Sequence, residues 1–359
     1  MLYPKAPVGH HGAVRVGLVL GGGGVIGMAY HAASLAAIEH DLGWDPRTAD
    51  IVVGTSAGSV VGALLRRGVP ASDLSIISVG AEPQASPPGI ARALRERPEF
   101  PPMRPLSFLR PPRLPTPALV TAWLRRPWRL DPVTALASVI PDGTLDLAEH
   151  AGGLQDLLGS RWPDRDLWVC TVRRRDLRRI VMGRDMVPRL AAAVAASCAI
   201  PGYFRPVTVD GHRYIDGGVR SPTNADVLRR ADLDLAIILS PMSGRSISGL
   251  SIGNAVRRHA RAKLEAEQAR LHAAGITTLL IEPGPEVIEA LGRDFMSDVR
   301  VPDIVRAAFV DTGDQLRRPV ARTLLSGLVD QPRADNVAPG PMRRPRRRGD
   351  RRWGRRPAR

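Results

Sequence analysis

Two glycine-dense turns, each set between a short apolar run and a stretch of helical spacing, constrain this chain more than any other feature. Residues 15–20 (RVGLVL) read as a buried strand and residues 21–24 (GGGG) as a tight loop. Residues 27–41 carry helical apolar spacing, with Gly43 just past their end. Residues 50–53 (DIVV) read as a second strand, Gly54-Thr55-Ser56-Ala57-Gly58 as a second glycine-flanked turn, and residues 59–67 as a helix. Strand, helix, strand and helix in succession predict a parallel sheet with helices on its faces, an α/β fold. Apolar residues make up 44% of the 359 and aromatics only 4%, so Leu, Val, Ile and Ala must fill the core.

The second turn is G-x-S-x-G. Between a strand and a helix, this pentapeptide holds its serine on a strained elbow, and Gly54 and Gly58 let the backbone turn there without a Cβ clash. Ser56 then sits at a helix N-terminus, where developing negative charge is favoured. A glycine-rich turn without chemistry also matches the pentapeptide; its placement after residues 50–53 and before residues 59–67 favours a nucleophile.

The first turn, Gly22-Gly23-Gly24-Val25-Ile26-Gly27, also fits G-x-G-x-x-G, the dinucleotide-binding pattern. That reading wants Asp or Glu at the end of the second strand for a ribose. Here Gly54-Thr55-Ser56 stands there, and Asp50 lies at the strand's start. The loop is better explained as an oxyanion hole, with N–H groups of Gly22, Gly23 and Gly24 aimed at one oxygen.

A nucleophilic serine needs a positioned base. Asp216-Gly217-Gly218 follows a predicted strand at residues 212–215, and its glycines allow another segment to approach Asp216. Burial beside the serine would raise the Asp216 pKa from near 4 toward the working range. Taken alone, the tripeptide is an ordinary turn signal. The histidines are His10, His11, His31, His40, His150, His212, His259 and His272. The order serine, acid, histidine of an α/β-hydrolase leaves His259 and His272, both in an Arg-, Ala- and Glu-rich helix at residues 253–274 and expected to face solvent. His212 is expected at the surface of the hairpin that carries Asp216.

Elsewhere the chain is less regular. From 83 to 132 it holds thirteen Pro and nine Arg, which breaks regular elements and predicts an irregular insertion with short helices such as residues 116–126. Leu106, Phe108, Leu109, Leu119, Trp123, Leu124 and Trp128 among those arginines make it a candidate lid or membrane-facing surface, against the alternative of an excursion packing its own apolar residues. Regular structure is expected to resume near Thr144. Strands are expected at 167–172 and 179–182 around a basic turn, a helix at 188–197, a hairpin of 207–209 and 212–215 around Asp210-Gly211, and strands at 235–240 and 277–281.

The formal net charge is +16, and residues 342–359 carry ten Arg and one Asp of it. The tail from about Asp330 is therefore expected to be disordered and basic, with no base-stacking surface for specific nucleic acid. Two cysteines, Cys170 and Cys198, make no disulfide framework, and residues 14–20 are too short for a signal-peptide core. A reduced, cytoplasmic chain is the expectation, with any membrane contact peripheral because no apolar run spans a bilayer.

Together the glycine loop Gly22–Gly27, the elbow Gly54–Gly58 and Asp216-Gly217-Gly218, in this order, resemble the patatin-like phospholipase family. Residues 195–207 (AASCAIPGYFRPV) and 214–224 (YIDGGVRSPTN) resemble its run into the catalytic aspartate, so the likeness covers roughly residues 14 to 240. It implies a three-layer α/β/α fold with a mostly parallel central sheet. It also implies a Ser-Asp dyad of Ser56 and Asp216 without histidine, metal or cofactor, and hydrolysis of acyl esters of phospholipids or neutral lipids. The domain is then expected at 14–329, between an N-terminal tail (1–13) and the basic tail (330–359). The family's loop usually carries Arg or Lys before its last glycine, where this chain has Ile26. That departure keeps a non-catalytic lipid-binding protein of the same fold as the alternative, beside a nucleotide-binding protein.

Overall fold

The computed structural model describes residues 14–95, 111–125, 131–147, 152–245, 251–292 and 294–329. Residues 1–13 and 330–359, with Leu106, Phe108, Leu109, Trp128 and His150, lie outside the described residues. One sheet holds β1 (Val16–Leu20), β2 (Ile51–Thr55), β3 (Asp166–Arg173), β4 (Arg179–Met182), β5 (Val207–Val209), β6 (His212–Asp216), β7 (Leu235–Leu239) and β8 (Thr277–Ile281). Strands pair in the order β5-β6-β3-β2-β1-β7-β8, with β4 also on β3. The pairings among β3, β2, β1, β7 and β8 are parallel, whereas those of β4, β5 and β6 are antiparallel. The fold is the mostly parallel α/β arrangement that the succession of elements predicts.

The helices among the described residues are α1 (Gly24–Leu42), α2 (Ala57–Arg66), α3 (Ala71–Ser78), α4 (Pro88–Arg95), α5 (Pro117–Arg125), α6 (Pro132–Val139), α7 (Gly152–Leu158), α8 (Leu190–Ser197), α9 (Ile252–His272), α10 (Pro285–Leu291), α11 (Val301–Leu316) and α12 (Pro319–Val329).

Three layers follow from strand alternation. Successive side chains of a strand point to opposite faces. Val16, Leu18 and Leu20 of β1, Val52 of β2 and Ile237 and Leu239 of β7 join a core with Leu35 and Ile38 of α1 and Leu64 of α2. Val19, Ile51, Val53, Ala236 and Ile238 join a second core with Leu264 and Leu271 of α9. Both faces of these strands are therefore covered, which is why they read as continuous apolar runs.

Several elements begin earlier than their spacing predicts. α1 starts at Gly24 rather than Gly27, because the last glycine of the loop already forms its first turn. β2 runs through Thr55 and α2 begins at Ala57, so Ser56 alone joins strand to helix. Regular structure resumes at Pro132 and not near Thr144: Asp131 accepts the Thr134 N–H at 3.2 Å as an N-cap, and Pro132 suits the first helical turn. The helix expected at 116–126 appears as α5. α4 is a second short helix in the same Pro- and Arg-rich stretch.

The register of β3 brings distant parts of the chain together. Val169 and Cys170 pair with β2 and also with β4, so those two strands lie on opposite edges of β3. Thr171 and Val172 pair with β4 and also with β6. β2 and β6 therefore share one edge and meet end to end: Thr55 pairs with Cys170 and Asp216 with Thr171.

Candidate active site

Ser56 has φ 51° and ψ −123°, a strained conformation for a residue with a side chain. The glycines on either side make it attainable. A Cβ on Gly58 would lie 2.0 Å from the Leu20 carbonyl oxygen, and one on Gly54 would lie 2.4 Å from Ser59 Cα. Polar bonds then hold the turn. Ser59 gives both its N–H (2.8 Å) and its hydroxyl (2.7 Å) to the Ser56 carbonyl. The Ser56 N–H is donated to Ser197 Oγ at 2.9 Å.

Asp216 ends β6 and is buried, 6% exposed. Its carboxylate accepts the Gly218 N–H at 2.7 Å. Burial pushes its pKa up to about 6, and the Ser56 side chain and the Gly218 N–H act in the opposite direction. A Cβ on Gly217 would lie 2.3 Å from the Cys170 carbonyl oxygen, so the chain after Asp216 needs glycine to run this close to β3.

The glycine loop lies against the elbow: a Cβ on Gly22 would be 3.4 Å from Ser56 Cβ. Its amides are not equivalent. Gly22 gives its N–H to the Pro222 carbonyl at 2.8 Å, and Val25 gives its own to the Phe295 carbonyl at 2.8 Å. The Gly23 and Gly24 amides, at the start of α1, have no such partner among the hydrogen bonds of the described residues. Of the three glycines expected as oxyanion donors, Gly22 thus has its amide engaged in the loop's own structure. Gly24 has φ +63°, and a Cβ there would lie 2.3 Å from the Phe295 carbonyl oxygen. Engagement of the Val25 amide by a protein carbonyl also leaves this helix start poorly suited to a pyrophosphate. Ile26 is buried in an apolar cluster with Tyr30, Leu147, Phe204 and Met296.

Ser56 opens on a cavity of about 130 Å³. Its walls include Met28, Leu94, Leu154, Leu157, Phe204 and Met296, and Gly24 and Cys198 also line it. Apart from the Ser56 hydroxyl and the Cys198 thiol, the lining side chains carry no hydrogen-bonding heteroatom beyond thioethers. Such a wall accepts hydrocarbon and rejects charge. At Cys198 burial, and then the Asp216 charge, push the thiol up to about 12. It is a neutral group at this position.

The histidines weighed as bases lie elsewhere. His259 Nε2 is 3.7 Å from Asp131, His272 Nε2 is 2.8 Å from Thr278 Oγ1, and His212 is exposed. Sequence reasoning missed three polar residues packed around the site. His31, fully buried on α1, has Nε2 2.7 Å from the Gly21 carbonyl, and burial lowers its pKa to about 4, so the neutral ring donates there. Asn224, with φ 54°, donates to Thr55 Oγ1 at 3.1 Å and to the Gly217 carbonyl at 3.2 Å. Ser197 holds the Ser56 amide. His31 recurs one helical turn after Gly27, on the face turned to the loop, and that spacing was the available signal.

A family model described as patatin-like phospholipase matches residues 18–229, which include the elbow, the glycine loop and Asp216. Among solved structures, VipD from Legionella pneumophila is similar at 15% identity and a TM-score of 0.40, over 88% of this chain and 67% of that one. A search of curated proteins finds no match. With more than half of its length under that model, the chain belongs to the patatin-like phospholipase family, a family of lipid acyl hydrolases.

Proposed function

We propose that this protein is a serine acyl hydrolase that cleaves carboxylic esters of lipids, with Ser56 as nucleophile, Asp216 as general base and the amides of Gly23 and Gly24 as oxyanion donors. The observation that carries the reading is a buried Asp216 carboxylate, its pKa lifted to about 6, that meets the end of the strand before Ser56, with Ser56 itself on the wall of an apolar cavity. A carboxylate poised there is a far better base near neutrality than a free aspartate.

Asp216 takes the Ser56 hydroxyl proton as Oγ attacks the ester carbonyl. The oxyanion develops toward the Gly23 and Gly24 amides at the start of α1, with the Ala57 amide at the start of α2 as a further donor. Collapse expels the alcohol, which carries away the proton from Asp216. Water then attacks the acyl-Ser56 ester, again giving its proton to Asp216, and Ser56 leaves with that proton as the fatty acid is released. The acyl chain occupies the cavity, and the headgroup stays outside it. Engagement of the Ser56 amide by Ser197 excludes that amide from the oxyanion hole.

The test pairs fluorophosphonate labelling with turnover of a panel of phospholipid and neutral-lipid esters. Labelling of the wild-type protein but not of Ser56→Ala, with ester turnover lost in Ser56→Ala and Asp216→Asn, supports the reading. A folded wild-type protein that binds lipid but neither labels nor turns over any ester would instead be a non-catalytic lipid-binding member of the family.

A further inference from the structure

We infer that Ser197 is a positioning residue for this dyad, because one short turn, Ser197-Cys198-Ala199, ties Ser56 and Asp216 to each other through separate hydrogen bonds. The inference rests on the proposed roles of those two residues. Ser197 ends α8 and is fully buried. Its hydroxyl donates to the Cys170 carbonyl at 2.7 Å and accepts the Ser56 N–H at 2.9 Å. Two residues on, the Ala199 carbonyl accepts the Asp216 N–H at 2.9 Å. Cys198 between them has its Sγ 3.9 Å from Ser59 Oγ, on the helix that follows Ser56.

The Cys170 carbonyl matters because Cys170 and Thr171 are the β3 residues that face Thr55 and Asp216. The Ser197 hydroxyl therefore bonds the elbow to β3, the strand against which Asp216 of β6 pairs. A serine hydroxyl has a single proton. Committed to the Cys170 carbonyl, that proton leaves Oγ as an acceptor toward Ser56, which fixes the direction of the bond. The Ser56 conformation is costly on its own, of the kind that persists only where its surroundings over-determine it. Without the hydroxyl, the Ser56 amide and the Cys170 carbonyl are both left buried and unpaired, and the elbow has reason to relax away from Asp216.

The readouts separate positioning from mere stability. A relaxed elbow draws the Ser56 side chain, which holds the Asp216 pKa down, away from that carboxylate, so the acid limb of kcat/KM moves to higher pH. The cavity is untouched, so KM for a long-chain ester stays put while kcat falls, roughly 10- to 100-fold for a displacement of this kind. The experiment compares Ser197→Thr with its isostere Ser197→Val, and Ser197→Ala with the wild type. All rates are taken per folded molecule. Thr keeps the hydroxyl and should restore kcat and the acid limb relative to Val. Val with the same kcat and acid limb as Thr, or lower folded yield with unchanged kcat per folded molecule, overturns the inference. Ser56→Ala run alongside keeps the two claims apart. If it is inactive while the Ser197 variants match wild type, only the positioning role fails; if it retains activity, the proposed nucleophile fails.

Discussion

Thr55 and Asp216 face consecutive residues of β3, Cys170 and Thr171, from the same edge of that strand. β2 arrives parallel to β3 and β6 antiparallel to it, so their C-terminal ends converge. The residue after Thr55 is Ser56, and the elbow turns it toward Asp216. The separation of the proposed dyad is thus set by sheet register, the least deformable part of an α/β fold, and not by the long connections between these strands.

Activity should fall as pH drops through about 6, where Asp216 is protonated. The same shift has a stability consequence. The buried carboxyl titrates near 6 in the folded protein against 3.8 for its ordinary value. The folded state therefore binds more protons between these values, and the stability this contributes is present at low pH and lost as pH rises through about 6. Asp216→Asn, which carries no charge to bury, should be inactive yet more stable than wild type at neutral pH, by on the order of 3 kcal/mol. Denaturant titrations at pH 4 and pH 8 check this. Equal stability of the two proteins at pH 8 would remove the claim that burial of the charged form is costly.

Gly24→Ala and Gly43→Ala should diverge although both glycines have φ +63°. At Gly24 a new Cβ would meet the Phe295 carbonyl oxygen, so the loop must move and kcat should fall by roughly 10²-fold or more, as for loss of an oxyanion donor. At Gly43, just after α1, nothing lies within 4 Å. There the variant should lose about 1 kcal/mol from backbone strain and keep its kcat. Steady-state kinetics beside thermal melts of both variants would show it, and equal losses of kcat would contradict the assignment.

Leu94, on α4, lines the cavity with Leu154 and Leu157 of α7. Leu94→Trp should narrow it. Long-chain esters should then show a KM raised roughly tenfold, the scale of discrimination a methylene or more in an apolar pocket supports, while an acetyl ester is turned over as before. A chain-length series of aryl esters measures this. An unchanged series would place the acyl chain somewhere else.

Arg179 holds the buried Asp226 through a two-pronged contact of 2.5 and 3.0 Å and also donates to Asn224 Oδ1 at 3.0 Å. Removing one partner of such a pair leaves a charge buried without it. Arg179→Met should cost about 3 kcal/mol, and Arg179→Met with Asp226→Leu should recover much of that loss. Urea unfolding of the single and double variants decides, and a double variant as unstable as the single would speak against the pair. Asn224 loses its Arg179 contact in both variants. Since it bonds the Gly217 carbonyl and Thr55, kcat should remain lowered even where stability returns.

Much of the central sheet was legible because its strands are covered on both faces and read as uninterrupted apolar runs, as in VGLVL of β1 and LAIIL of β7. Glycine marks were equally readable: Gly43 closes α1 in the left-handed region, and Asp210-Gly211 turns the β5–β6 hairpin. Less could be read where proline and arginine crowd the sequence. α4 and α6 begin at prolines, which suit a first helical turn and break a helix anywhere later, so proline density alone does not give their bounds. α10, α11 and α12 carry no motif, although α11 packs along α1 and supplies Ile304 to the cluster that holds Ile26.

By itself the sequence determined which residues are chemically equipped: a serine that only flanking glycines permit in its strained turn, a run of glycines before a helix, and an aspartate followed by two glycines. Those are local properties, set by the steric cost of a Cβ and by hydrogen-bonding capacity within a few residues. Only the tertiary structure decided how they meet. Strand register on β3 set Thr55 beside Asp216, the Pro222 carbonyl took the Gly22 amide and left those of Gly23 and Gly24, and burial lifted the Asp216 pKa. These depend on which distant groups are packed against a residue, and sequence spacing carries no measure of that.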